Sequence, residues 1–276
     1  MDVISLYFYF FFFVIIIMGF ILSCSTIPTR IDYLIKIIPL IKCRYKYFVI
    51  NICAKYRRFG DYRLSKELLQ LCKRNPRVVF QFMDDFGPIN KLVGGFKFMK
   101  KKRLINDKLI IIDDDTIYNP DLFYSVMDDK TKNNITTGSG FNFLNDQYQI
   151  VNGECQMVEG YASICFDYNQ SDEFIDWYVG FYKHSNFDSD DIIDKYLTAS
   201  FLGDDFIISS CYPDKWAIGN GRQLIHPQQY GFKSDALHQN NIFSNNMGTY
   251  KHLNDNIKIL NQFKLKFDLN RSIHKK

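Results

Sequence analysis

The segment "KLIIIDDDTIYNP", residues 108–120, runs from an apolar stretch directly into three carboxylates. Its residues 109–112 are large and apolar, as in a strand that is buried on both faces. Strands of this kind are typical of parallel sheets that helices cover on both sides. Asp113, Asp114 and Asp115 follow at the carboxyl end of the strand, where open α/β sheets bind their ligands. The segment therefore predicts both a parallel strand and a site at its end.

The flanking sequence alternates between predicted strands and predicted helices. A first strand and its loop are predicted in "ILSCSTIPTR", and later strands over 45–52 and 77–83. Helices are predicted over 31–38, 65–75 and 88–100, with another beginning near Pro120. We expect Asp85 to cap the helix over 88–100 and Pro88 to lie in its first turn. This alternation predicts an α/β fold with a parallel sheet and no clear second domain.

Composition places the chain among folded proteins and gives little indication of nucleic-acid binding. The chain has 276 residues, of which 47% are hydrophobic, and its net charge is only +4. One dense basic run, "KFMKKKR" at 97–103, is interpreted as an exposed helix face or loop. Seven cysteines without a CxxC pair argue against a zinc site and for reduced thiols. We expect no nucleic-acid partner.

Residues 3–22 contain no charged side chain, and their number reaches the roughly 20 residues that a membrane helix requires. The segment lacks the basic start and small-residue cleavage site of a signal peptide. We expect a single-pass N-terminal membrane anchor, with a signal peptide or a buried strand as alternatives. The predicted anchor and the predicted first strand overlap at residues 19–22. Basic residues after the span favour a cytosolic location for the rest of the chain, whereas possible glycosylation sites favour the lumen. The orientation in the membrane therefore stays open.

The three aspartates suit a divalent cation better than a helix cap. On an extended backbone Asp113 and Asp115 share a face while Asp114 points away, although a turn after the strand would alter this. Carboxylate oxygens bind Mg²⁺ or Mn²⁺, and such a cation offsets their repulsion and can hold a diphosphate. Capping of a following helix is the alternative.

Four other side chains have chemistry that a site of this kind would use. Asp204 and Asp205 precede an apolar run, so that one of them can serve as a general base or both can act as helix caps. Lys91 falls in the first turns of a predicted helix, where it can face an anion, although a surface lysine is the commoner case. His238 is isolated in the sequence, and such a histidine is more often structural than a ligand.

Six segments, taken together, resemble the pattern of GT-A type glycosyltransferases. The likeness is strongest to a family 2-like group that carries a DxGPxxKL segment ahead of a DDDxxY segment, the latter holding the DxD motif. It extends from residue 25 to about 240, with Phe86 where that group is expected to have tyrosine. The segments, in chain order, are "STIPTRI" 25–31, "DDFGPINKL" 84–92, "IIIDDDTIYNPDLF" 110–123, "VEGYAS" 158–163, "GDDFIIS" 203–209 and "DALHQ" 235–239.

The resemblance implies a fold, a domain division and a role for each matched position. The fold would be an α/β, GT-A-like, Rossmann-type nucleotide-sugar-binding domain with a mixed, mostly parallel central sheet. It would occupy residues 23–250, between the hydrophobic segment 1–22 and an amphipathic tail 251–276. The implied roles are metal binding for Asp113, Asp115 and His238, donor binding for Lys91, Asp85, Asp113, Asp114, Glu159, Gly160 and Tyr161, and base catalysis for Asp205 with support from Asp204.

The implied activity is a metal-dependent glycosyl transfer of the hexosyltransferase type. Mn²⁺ or Mg²⁺ would hold a UDP- or GDP-sugar, and a glycan, lipid or protein hydroxyl would accept the sugar, with inversion expected. Two alternatives stay open on the residues alone. One is a haloacid-dehalogenase-like phosphatase, whose D-x-D motif Asp113 and Asp115 also match, although Ile117 stands where that motif has threonine or valine. The other is an inactive, membrane-tethered binding protein.

Overall fold

The computed structural model describes residues 19–56, 59–128, 135–144, 147–171, 174–175 and 204–225. Within these ranges an eight-stranded sheet forms the centre, with strands in the order β10-β13-β7-β12-β6-β1-β2-β5. Parallel pairing joins β6 to β1, β1 to β2, β2 to β5 and β13 to β7, and the three other pairings are antiparallel. The predicted α/β fold with a mixed, mostly parallel sheet is confirmed.

The described strands and helices have the following bounds. The sheet strands are β1 (Phe20–Ser25), β2 (Tyr47–Cys53), β5 (Val78–Met83), β6 (Lys108–Ile111), β7 (Ile135–Thr137), β10 (Gly153–Glu154), β12 (Ile164–Asp167) and β13 (Lys215–Ala217). The smaller sheets contain β3 (Lys55–Tyr56), β4 (Gly60–Asp61), β8 (Gly140–Leu144), β9 (Gln147–Ile150) and β11 (Met157–Val158). The α-helices are α1 (Ile31–Ile37), α2 (Lys66–Arg74), α3 (Asn90–Lys102), α4 (Pro120–Met127) and α5 (Asp204–Cys211).

Local sequence signals set the starts of two helices, and a third begins differently from our expectation. Ser65 caps α2 by accepting a hydrogen bond from Leu68 N, and Asn119 caps α4 by accepting one from Asp121 N. The expected cap of α3 by Asp85 is wrong, because a 3₁₀ turn, Gly87–Ile89, precedes this helix. Asp85 instead accepts a hydrogen bond from Gly87 N at the start of that turn.

The core lies on both faces of the parallel strands, as the apolar run in β6 predicts. Leu109 and Ile111 point to the face that α3 covers with Leu92, Val93 and Phe96. The intervening residue Ile110 points to the opposite face, which packs against α1 and α4. A strand buried on both faces needs no polar alternation, and for this reason "KLIII" is continuously apolar.

The hydrophobic N-terminal segment contributes its last residues to the sheet. Phe20 to Leu22 belong to β1 and pair with both β2 and β6. The greater part of the predicted anchor, residues 1–18, lies outside the described residues. Among the residues that are described, no helix has the length and apolar character required to cross a membrane.

Candidate active site

The three aspartates lie where the chain leaves the sheet. β6 ends at Ile111, and Asp114 and Asp115 form a turn. The Tyr118 hydroxyl holds the start of this turn, since it accepts a hydrogen bond from Asp113 N (2.9 Å) and donates one to Tyr161 O (2.9 Å). The expected alternation is retained in the burial of the three aspartates, although the turn begins within them. Asp114 is buried, whereas Asp113 and Asp115 stay partly exposed.

Arg30 ties this turn to the loop that follows β1. Its guanidinium lies 2.9 Å from Asp114 Oδ1 and 3.2 Å from Asp115 Oδ2. Thr26 donates to the other oxygen of Asp114 (2.7 Å), so this buried carboxylate is engaged on both sides. The three groups fix the loops after the adjacent strands β1 and β6 against each other. The donor contact predicted for Asp114 stays a prediction.

Burial and the neighbouring carboxylates raise the pKa of Asp115 to about 7, with Asp113 and Asp114 as the charged neighbours. Arg30 opposes this shift without cancelling it. Burial is the largest cause of this shift, and repulsion from the two neighbouring carboxylates adds to it.

Lys91 lies at the centre of the carboxylate cluster. It is 2% exposed, and its ammonium lies 2.6 Å from Asp113 Oδ1 and 2.8 Å from Asp204 Oδ2. The contact with Asp113 is a hydrogen bond, whereas the approach to Asp204 is an ion pair outside hydrogen-bond geometry. Burial lowers the pKa of Lys91, but Asp113, Asp204 and Asp205 outweigh burial and hold that pKa well above its usual value. The buried ion pair therefore joins the two acidic segments that the sequence singles out.

A buried polar network fixes the backbone that carries Lys91. Ser23 Oγ donates to Lys91 O (2.6 Å) and accepts from Asn51 Nδ2 (2.9 Å). Gln81 Nε2 donates to Asn51 Oδ1 and to Gly94 O, both at 2.7 Å. Side chains from β1, β2 and β5 thus bind the first turns of α3 and set the position of Lys91.

Asp205 faces the 3₁₀ turn Gly160–Ala162 from the start of α5. Its Oδ1 accepts a hydrogen bond from Gly160 N at 2.7 Å. Burial raises the pKa of Asp205 well above its usual value, and the Asp204 carboxylate adds to the shift. A Cβ at Gly160 would lie 2.7 Å from Asp205 Oδ1 and 3.0 Å from Lys91 Nζ, so a larger residue would push these two groups apart.

A second ion pair borders the same turn. Arg222, in the 3₁₀ turn Gly221–Leu224 after β13, pairs with Glu159, and Ser139 also donates a hydrogen bond to Glu159. The guanidinium lies 6.0 Å from the centre of the Tyr161 ring, within cation–π range. Arg222 retains 40% of its side-chain exposure and lies at the rim of the cluster.

The carboxylate oxygens at the aspartate turn have the chemistry of divalent-cation ligands. Asp113 and Asp115 keep 30% and 24% of their side-chain exposure and carry the like-charge repulsion described above. Mg²⁺ is commonly bound by one or two carboxylates together with substrate phosphates. Within the described ranges, no group of three histidine, cysteine or acidic side chains forms a protein-only metal site. The remaining ligands would then come from substrate and water.

The structure brings most of the predicted site residues together. One connected cluster contains Lys91, Asp113, Asp204, Asp205 and Gly160. It is bordered by Asp114, Asp115, Glu159 and Tyr161. Asp85 follows β5, at the far end of the same edge of the sheet. His238 lies outside the described residues, as does the tail 251–276.

Two functional candidates had no role in the reasoning from sequence. Arg30 lies in the quoted segment "STIPTRI", and Arg222 lies in "GNGRQL", which predicts only turns. The signal for Arg30 was a cation in the loop after a strand that should neighbour the aspartate strand. No comparable signal marks Arg222, because its pairing with Glu159 joins residues 63 positions apart.

Comparison with known proteins adds little to this geometry. No protein-family model and no curated protein sequence matches the chain. An inositol-1-phosphate CTP transferase from T. maritima aligns over 55% of this chain and 71% of its own, with 9% identity and a TM-score of 0.35. The bifunctional glycosyltransferase WbbM aligns over 74% of this chain and 39% of its own, with 14% identity and a TM-score of 0.38. Both TM-scores are below 0.5, so neither likeness bears on the function of this chain.

Proposed function

We propose that the protein is a metal-dependent glycosyltransferase that uses a nucleotide-diphosphate sugar. The observation that carries this proposal is the Lys91 ion pair, which joins Asp113 at the end of β6 to Asp204 at the start of α5. This contact supports the proposal because the residues that would bind the cation and supply the base then belong to one cluster at the carboxyl edge of the parallel strands. The sequence resemblance to GT-A glycosyltransferases assigns these same residues to donor binding and catalysis.

Donor binding would use the aspartate turn and its surroundings. Asp113 and Asp115 would hold Mn²⁺ or Mg²⁺, which when bound would neutralise the diphosphate and stabilise its departure. Arg30 keeps this turn in place through Asp114. UDP- and GDP-sugars are the donor classes that the resemblance suggests.

Asp205 would act as the base that deprotonates the acceptor hydroxyl. Gly160 N fixes one carboxylate oxygen, and burial together with Asp204 raises the pKa of the group, which makes its carboxylate a stronger base. The acceptor oxygen would then attack the anomeric carbon as the sugar–phosphate bond breaks. A single displacement of this kind inverts the anomeric configuration.

A panel of nucleotide sugars tests the proposal. Each donor is incubated with the full chain and Mn²⁺, and release of the nucleoside diphosphate is measured with and without a chelator. We expect release from one donor class, lost on chelation. Release of inorganic phosphate from a generic phosphate ester, with no donor consumed, would instead favour the phosphatase, and no turnover on either substrate class would favour the binding protein.

A further inference from the structure

A cluster of exposed basic residues lies at the amino ends of the parallel strands, opposite the candidate active site. The amino ends of β6, β1, β2 and β5 lie side by side, because these neighbouring strands are parallel. The segments that lead into these strands contain nine exposed lysine and arginine side chains, which we call the basic edge. They are Lys42, Arg44, Lys46, Lys73, Arg74, Arg77, Lys101, Lys102 and Arg103.

Favourable interactions with the dipoles at helix C-termini explain only some of the residues in the basic edge. Lys73, Arg74, Lys101 and Lys102 lie in the last turns of α2 and α3, where cations favour the helix dipole. The other five lie in the loops beyond the helices. Within the described part of the chain, Lys46 is the one member of the nine that forms an ion pair, with the buried Asp107 at 2.8 Å.

Gly19, the first described residue, lies between the basic loops that precede β2 and β6. Gly19 N donates to Asp107 Oδ1 (3.1 Å), Gly19 O accepts from Lys108 N (3.1 Å), and Lys46 N donates to Phe20 O (2.8 Å). The loops before β2 and β6 therefore flank Gly19, which directly follows the uncharged stretch 3–18 in the sequence. Ile105, 62% exposed, lies in one of these loops, and Tyr124, 47% exposed, packs against Phe20.

We propose that the basic edge docks onto an anionic lipid surface. Clusters of four to eight lysine and arginine side chains beside an apolar segment bind anionic headgroups, and stable attachment generally needs two such signals together. Here the uncharged segment supplies an apolar signal and the basic edge supplies the electrostatic one. Ile105 and Tyr124 would contact the headgroup region.

This docking would turn the candidate active site away from the bilayer. The basic edge and the aspartate turn lie at opposite ends of the same strands, and β2 has seven residues. At about 3.3 Å per residue, the strands separate the two by roughly 20 Å. The surface proposal does not depend on the proposed enzymatic activity.

Vesicle flotation of the full chain tests the docking. Binding is compared on vesicles of phosphatidylcholine with and without phosphatidylserine, at low and high salt. The test variant is Lys101→Glu/Lys102→Glu/Arg103→Glu. The matched control, Lys55→Glu/Arg63→Glu/Lys66→Glu, makes the same charge change at three exposed positions near the opposite edge. Circular dichroism establishes that all three proteins are folded.

We expect wild-type and control proteins to prefer the phosphatidylserine vesicles, with a preference that high salt abolishes. The test variant should lose at least about tenfold of this preference, because each basic residue near an anionic surface contributes to the attraction. Binding to neutral vesicles through the apolar segment should be alike in all three. No preference in the wild type, equal loss in both variants, or selective binding to an unstructured RNA in place of vesicles would overturn the proposal.

Discussion

At the residue scale, substitution of Asp205 distinguishes an effect on turnover from an effect on folding. Its Oδ1 accepts the hydrogen bond from Gly160 N, and an asparagine side chain retains an oxygen at that position. Asp205→Asn should therefore fold normally while turnover falls about 10²–10⁴-fold, because the base is lost. Steady-state kinetics and thermal unfolding of the same sample check both parts. Equal turnover in the two proteins would remove Asp205 from the mechanism.

The same substitution should change how stability depends on pH. Because the pKa of Asp205 is raised on folding, the native state binds more protons than the unfolded state between the usual aspartate pKa and the raised value. The free energy of unfolding therefore falls as pH rises through that window, and the full loss persists above it. Asp205→Asn removes this contribution, so denaturant titrations should show a flatter profile. A steeper profile in the variant would contradict the raised pKa.

Lys91 is the residue on which both acidic segments depend. Lys91→Met keeps the volume of the side chain but leaves Asp113 and Asp204 without their shared cation. Removing one partner of a buried ion pair costs about 3 kcal/mol, and we expect a loss of that order in urea unfolding together with weakened donor binding.

Lys215→Met is the matched control for this substitution. Lys215 is also buried, but its ammonium donates to three backbone carbonyls, those of Ser209, Tyr212 and Pro213. The control should lose stability without a specific loss of donor affinity. Equal effects of the two variants on donor binding would mean that Lys91 has only a structural role.

At the scale of elements, the position of α3 depends on its close approach to β2. A Cβ at Gly94 would lie 1.9 Å from Asn51 Oδ1, a contact that forces the buried network apart. Gly94→Ala should therefore lower the free energy of unfolding by about 2 kcal/mol, despite the higher helix propensity of alanine. Chemical denaturation measures the loss.

Lys101→Ala, at an exposed position of the same helix, is the control for Gly94→Ala. It should change the free energy of unfolding by less than about 0.5 kcal/mol. A stabilised Gly94→Ala protein would show that α3 does not lie against β2 as described.

Local sequence signals predicted the regular elements well and the site only in part. Periodicity and apolar runs located β2, β5, β6 and the first four helices to within a few residues, because local propensity and burial agree there. The strand at 108–111 also placed the three aspartates at the carboxyl edge. The expected cap by Asp85 was wrong because a 3₁₀ turn intervenes before α3. Turns of this kind depend on contacts with the rest of the fold that no local pattern encodes.

The pairings within the site required the assembled structure. Lys91 pairs with Asp113, 22 positions later in the chain, and with Asp204, 113 positions later. Arg222 pairs with Glu159, 63 positions earlier. Spacing predicts which residues lie at the same edge of a sheet, but it does not predict which cation pairs with which carboxylate.

At the scale of the whole molecule, the two edges of the parallel sheet carry opposite charge. The carboxyl edge gathers five aspartates around Arg30 and Lys91, and the amino edge carries the basic residues. An acidic edge suits a cation and its diphosphate, whereas a basic edge suits an anionic surface. The proposed activity and the proposed docking thus use opposite ends of the same strands.

Binding of nucleoside diphosphates by isothermal titration calorimetry tests the central claim most directly. UDP and GDP are titrated, with Mn²⁺ and with a chelator, into the wild type, Asp115→Asn and the matched Asp205→Asn. We predict Mn²⁺-dependent binding of one nucleotide, unchanged by Asp205→Asn and weakened at least about tenfold, or 1.4 kcal/mol, by Asp115→Asn. Absence of saturable binding, or binding that neither the chelator nor Asp115→Asn weakens, would contradict a metal-assisted diphosphate site at the end of β6.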